Sequence, residues 1–153
     1  MSGVGPVSME VKIRGAVRAL LVDDVNGLLD GLGFHVPSLE LGDSGGREAV
    51  VPLVSLAASE RTEKERIVRV NAYSVEIQIP VDDLREWDGE TLAYYYGAAI
   101  ERAVGVDNSL GGIVDRAVIT KMEYVRPKRR YCGDHWIVAA RLRVTVEGLK
   151  NDG

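Results

Sequence analysis

The sequence predicts an α+β fold: two helices packed on a mainly antiparallel four-stranded sheet with projecting hairpins. Three observations predict it. Two segments carry apolar residues at helical spacing, four segments alternate or run apolar at strand spacing, and turn residues separate the strands in pairs. The order is helix, two strands, helix, two strands. At 153 residues, 46% apolar and 27% charged, the composition is that of one ordinary globular domain. Residues 11–148 form that domain, with residues 1–10 and 149–153 expected to be flexible ends.

The first helix is expected over Val11–Leu32. Val17, Leu20, Leu21, Val25, Leu28, Leu29 and Leu32 recur at steps of three and four, while Arg14, Arg18, Asp23, Asp24 and Asp30 occupy much of the other side. Gly31 and Gly33 bracket its end, where a left-handed residue is favoured. The stretch from Val36 to Glu48, with Pro37, Gly42, Gly45 and Gly46, reads as a loop. An extended segment, Ala49–Ala58, follows. Pro52 makes it an edge strand or a strand start, because proline donates nothing to a ladder.

Ser59–Arg66 reads as a charged turn. It leads into Ile67–Val81, where Val75, Ile77, Ile79 and Val81 alternate with Glu76 and Gln78. Val68, Val70 and Ala72 lie on the opposite parity, so the apolar face switches near Tyr73 and Ser74. Two explanations stay open: a bulge at the switch, or an outer half of the hairpin that leaves its own core and packs elsewhere.

The second helix is expected from Gly89 to Val104, announced by Asp83, Glu86 and Asp88 and striped by Leu92, Tyr95, Tyr96, Ala99, Ile100 and Ala103. Consecutive tyrosines at 94, 95 and 96 are about 100° apart on a helix, so at least one ring faces away from the core. Asp107–Gly112 is a turn. A strand Ile113–Val125 then alternates Val114, Val118 and Met122 with polar neighbours. The last strand, His135–Glu147, sets Trp136, Val138, Ala140, Leu142, Val144 and Val146 on one face and Arg141, Arg143 and Thr145 on the other. A basic loop, Arg126–Asp134, joins these two strands.

Charge and cysteine usage exclude several classes. A net charge of −4 argues against general nucleic-acid binding. A single cysteine, Cys132, makes no internal disulfide and points to a reducing compartment. No apolar run approaches the ~18 residues of a membrane span, and the N-terminus lacks the charged start of a secretory signal.

Candidate chemistry is sparse. Cys132, Asp134 and His135 are the one set resembling a nucleophile and its base, but neighbours on a hairpin seldom reach the mutual geometry that pair needs. Two histidines and one cysteine do not complete a typical zinc site. Asp82, Asp83, Glu86, Asp88 and Glu90 read as helix capping rather than a divalent-ion site. Gly42-Asp-Ser-Gly-Gly46 lacks the Lys-Ser/Thr of a phosphate loop and the partners of a serine nucleophile. No catalytic residue, metal ligand or cofactor is assigned.

The element order, with Ser109-Leu-Gly-Gly-Ile-Val-Asp115 directly after the second helix and a terminal hairpin ending Ala140-Arg-Leu-Arg-Val-Thr-Val146, resembles the tail-terminator (tail-completion) proteins of long-tailed bacteriophages. The likeness covers residues 11–147. It implies a structural virion protein without enzymatic activity. Such a subunit forms a homo-oligomeric ring, typically a hexamer, that caps the tail tube, joins it to the head–tail connector and lets DNA pass through the lumen without specific binding. It would be assembled in the host bacterial cytoplasm and reside in the virion tail. A closed ring needs two different, mutually fitting surfaces on each subunit. The charged hairpin tips supply candidates: Glu60, Arg61, Glu63, Lys64 and Arg66 on one, and Arg126, Lys128, Arg129, Arg130 and Tyr131 on the other. An acidic subunit also suits a lumen that does not grip phosphates. The long loop 36–48 and the basic, aromatic and thiol content of the last turn depart from the family pattern, and a neck or connector protein shares much of it. Two other classes compete: a small ligand- or RNA-binding module with a concave site lined by Tyr94–Tyr96 and Trp136, and a small enzyme using Cys132 and His135.

Overall fold

A computed structural model describes residues 8–31, 36–40, 52–63, 68–82, 87–126 and 136–149. The fold is α+β. Strands β1 (Leu53–Glu63), β2 (Val68–Val81), β3 (Arg116–Val125) and β4 (Trp136–Leu149) form one antiparallel sheet in the order β1-β2-β4-β3. Helices α1 (Met9–Ala19), α2 (Asn26–Gly31) and α3 (Gly89–Val106) pack on one face. A π-helical turn, Leu20–Val25, joins α1 to α2, so the predicted first helix is one rod with a widened middle. It begins earlier than its apolar stripe, because the Ser8 hydroxyl accepts the Val11 N–H and caps it. The capped helix thus starts at Met9, two residues before the expected start of the domain.

The core lies between the rods and the helix-facing side of the sheet. Ile13, Val17, Leu21 and Val25 meet Val75, Ile77, Ile79 and Val81 of β2 and Val138, Leu142 and Val144 of β4, all buried. Leu92, Tyr96 and Ile100 of α3 complete it. Tyr96 is fully buried, Tyr95 half-buried and Tyr94 47% exposed, as three successive helical positions require. Helix α3 runs two residues past its predicted end, to Val106.

Three predicted features differ. First, most of the charged run is strand, not turn: β1 continues to Glu63, with Glu60 opposite Ala72, Arg61 opposite Asn71 and Glu63 opposite Arg69. Second, the parity switch is not a bulge in β2. That strand pairs with β4 in one unbroken register from Val68 to Val81. The extra residue sits on the neighbouring edge strand, at Ala57. Third, Val114, Val118 and Met122 do not share a buried face. The strand starts at Arg116, and a second irregularity at Thr120 resets the alternation, so Ala117, Ile119, Met122 and Tyr124 face the helices while Val118 is exposed. The strand β4 also runs to Leu149, beyond the predicted end of the domain. Pro52 stands just before β1, which is an edge strand, as proline requires.

Candidate assembly interface

The turn after α3 ties the second rod to the sheet. Asp107 ends the helix. Its carboxylate accepts the Ser109 N–H at 3.1 Å, the Ser109 hydroxyl at 2.6 Å and the Gly111 N–H at 2.8 Å. Leu110, Gly111 and Gly112 then take positive φ of 50°, 72° and 85°. The two glycines adopt this freely; Leu110 is held there by burial of its side chain. Asp115 closes the unit. Its N–H donates to the Thr145 carbonyl, and its carboxylate accepts the Glu147 N–H of β4.

At the other end of α3, Asp88 is the N-cap. Its carboxylate accepts the Thr91 N–H at 2.8 Å and the Thr91 hydroxyl at 2.9 Å. Glu90 accepts the Tyr94 hydroxyl at 2.8 Å. These acidic residues act as caps and partners within the helix. Among the described residues no group of three His, Cys, Asp or Glu is arranged to hold a metal ion.

Both aspartates titrate below the usual carboxylate range. For Asp88 the main cause is the Thr91 N–H; for Asp107 it is the Ser109 hydroxyl, then the Gly111 N–H. Each therefore ionises more readily in the folded chain than in the unfolded one. The stability they add is fully present above about pH 4 and is lost as pH falls through their lowered folded values. Acid unfolding followed by circular dichroism is expected to show this loss, and Asp88→Asn and Asp107→Asn should each flatten the dependence. An unchanged acid slope in both variants would contradict the assignment.

Register fixes where the predicted interface residues go. Glu60, Arg61 and Glu63 lie on β1 near the β1–β2 turn; Lys64 and Arg66 fall outside the described residues. Arg126 leaves β3 and is exposed; Lys128, Arg129, Arg130 and Tyr131 fall outside, as do Cys132, Asp134, His135 and the glycines at 42, 45 and 46. The sheet holds the described members of the two clusters apart. The β1–β2 turn follows the rung of Glu63 and Arg69, while Arg126 follows the rung of Val125 and Ile137, at the other end of the sheet. Along the fourteen residues of β2 these ends are roughly 45 Å apart at ~3.3 Å per residue.

The β1–β2 end is also an arm. The last rung with a fully core-facing apolar pair is Tyr73–Val144; beyond it β1, β2 and β4 continue side by side to Glu63, Val68 and Leu149. It is three strands wide rather than the two-stranded finger the sequence suggested. The helix-free face of the sheet mixes charged residues with exposed Leu53, Val118 and Val125. Arg141 donates to Glu76 at 2.6 Å, directly across the β2–β4 ladder, and Lys121 pairs with Glu123 along β3. Exposed pairs of this kind add at most ~1 kcal/mol.

No protein-family model matches the chain, and no curated protein does. Its role is therefore argued from this geometry. The tyrosines do not converge on a common cleft. Tyr94 meets Tyr124 edge to face at 4.9 Å, Tyr95 meets Trp87 at 5.6 Å, and the Tyr96 hydroxyl donates to the Pro37 carbonyl at 2.5 Å. No described helix is long and apolar enough to cross a membrane.

What sequence reasoning missed lies on the helices. Asp23 and Asp24, read as ordinary polar-side residues, sit on the π-helical turn beside the turn after α3. Two adjacent aspartates opposite a Leu-Gly-Gly turn were the available signal.

Proposed function

We propose that this chain is a ring-forming tail-terminator (tail-completion) subunit of a long-tailed bacteriophage or prophage, a structural protein with no reaction of its own. In this reading copies close head to tail, cap the tail tube, meet the head–tail connector and leave a lumen for DNA. One observation carries it: strand register puts Glu63, beside the first charged stretch of the sequence, and Arg126, at the start of the basic one, at opposite ends of a four-stranded antiparallel sheet. Different surfaces at opposite ends are what a heterologous, closing contact uses, whereas a two-fold dimer uses one surface twice. The helix–hairpin–helix–turn–hairpin order and the Leu110-Gly-Gly112 turn also match the family resemblance.

The test is the mass in solution by light scattering, alone and with purified tail tubes, followed by electron microscopy of the mixture. Rings on tube ends are expected. A chain that stays monomeric and leaves the tube ends bare would refute the reading.

A further inference from the structure

Between α1 with its π-helical continuation and the turn after α3 lies an open groove of about 360 Å³. Ala16, Leu20 and Ile113 give it an apolar lining, and Asp23, Asp24 and Asp107 rim it. Ile113 is 40% exposed there. Asp107 is engaged with its own turn, but Asp23 and Asp24 are exposed and form no ion pair among the described residues. Among the described residues nothing engages these two carboxylates.

The same sequence holds the complementary chemistry. Arg126-Pro-Lys-Arg-Arg-Tyr131 concentrates four cations, a proline and an aromatic ring in six residues of an otherwise acidic chain. Its first residue, Arg126, lies far from the groove of its own chain. The groove is anchored at the start of β3, where the Asn108 carbonyl accepts the Ala117 N–H at 2.7 Å. Arg126 leaves the far end of that strand, roughly 30 Å away at ~3.3 Å per residue.

We propose that this groove receives the Arg126–Tyr131 segment of a second copy of the chain. The proposal rests on the ring reading and supplies its contact. The cations meet Asp23 and Asp24 on the rim, while the apolar lining takes Tyr131 and Pro127. Because the groove lies at the start of β3 and Arg126, where the segment begins, at its far end, every copy offers a groove and a segment root at opposite ends of one strand, and the contact repeats head to tail. Its charge content makes it salt-sensitive, since exposed pairs are screened within about 8 Å at physiological ionic strength.

The test uses two variants of the full chain: Asp23→Lys with Asp24→Lys, and Arg129→Glu with Arg130→Glu. Light scattering of each is expected to show association weakened on the order of 100-fold, as juxtaposed like charges cost several kcal/mol. An equimolar mixture offers the native groove to the native segment at one contact and the charge-swapped groove to the charge-swapped segment at the next, so it should assemble into rings in which the two variants alternate. A chain carrying all four changes should recover rings. Circular dichroism checks the fold, and Asp23→Asn with Asp24→Asn gives a milder version. Variants that assemble like the parent, or a mixture that stays monomeric, would overturn this contact and leave the ring reading standing. A parent chain that never assembles, even on tail tubes, would remove both.

Discussion

Asn26→Ala should destabilise the fold by about 3 kcal/mol, because two or more backbone groups lose their partners at once. The side chain of Asn26 is a three-point staple. Its Nδ2 donates to the Val22 carbonyl at 2.7 Å and to the Leu39 carbonyl at 2.8 Å, and its Oδ1 accepts the Leu39 N–H at 2.8 Å. Leu39 is fully buried, so its amide and carbonyl find no ready replacement in water. Asn26→Asp is an instructive companion. It keeps an acceptor for the Leu39 N–H but turns an oxygen toward two carbonyls, so it also destabilises. Tyr96→Phe removes the second tie on the same segment, the hydroxyl donated to Pro37. Burial holds that hydroxyl far above its usual pKa, so it stays a neutral donor, and its loss should cost about 1 kcal/mol. Once Asn26 is gone the segment 36–40 is released, and Tyr96→Phe should then cost little. The cycle should therefore show coupling of at least ~0.5 kcal/mol. Urea denaturation measures all of these. An Asn26→Ala variant within ~0.5 kcal/mol of the parent would contradict the staple.

This staple was invisible in the sequence, and the reason is physical. Apolar periodicity reports which residues face the core, and it placed Val17, Leu21 and Val25 correctly. It says nothing about a polar residue whose partner is thirteen positions away, nor about a π-turn that the stripe crosses without interruption. Charged residues on the arm misled in the other direction. In Glu60, Arg61 and Glu63 the composition is that of a turn, yet their backbone pairs with Ala72, Asn71 and Arg69 as the continuation of β1. The irregularities at Ala57 and Thr120 are single-residue insertions with no compositional signature, and each inverts the face of everything after it. The parity switch in β2 was read from the right residues. It falls where the partner strand carries its extra residue, Leu56 standing opposite Val75 and Ala58 opposite Ser74, while β2 keeps one register with β4.

The candidate interface was legible in part for the same reason. Clusters of charge at the two hairpin tips appear in composition alone. Their separation at opposite ends of the sheet depends on strand pairing, which composition does not carry. The acidic groove needs more still, because Asp23 and Asp107 meet only when the first rod lies against the turn that follows the second.

Gly97→Ala is expected to destabilise by up to about 2 kcal/mol, against its helix propensity. On α3 alone the change would favour the helix by about 1 kcal/mol. Gly97 is buried, however, and a Cβ there would sit 2.1 Å from the Tyr124 hydroxyl oxygen and 2.8 Å from two carbons of its ring. Tyr124 is the part that must move, and Tyr94 stacks edge-on against it. Overpacking of this kind costs about 1–3 kcal/mol, so it outweighs the propensity gain. Removing the obstacle should reverse the sign. In a Tyr124→Ala background, Gly97→Ala should stabilise by up to about 1 kcal/mol, the propensity term alone. Urea denaturation of the four proteins in the cycle gives the answer, and a Gly97→Ala effect of the same sign in both backgrounds would refute the packing account. The contact also bears on assembly. Tyr124 lies two residues before Arg126, at the root of the basic segment. On the proposed ring reading, a Tyr124 ring pushed aside by the new methyl displaces the end of β3, so Gly97→Ala should weaken self-association more than its loss of stability alone accounts for, read by light scattering at a temperature where both proteins are fully folded.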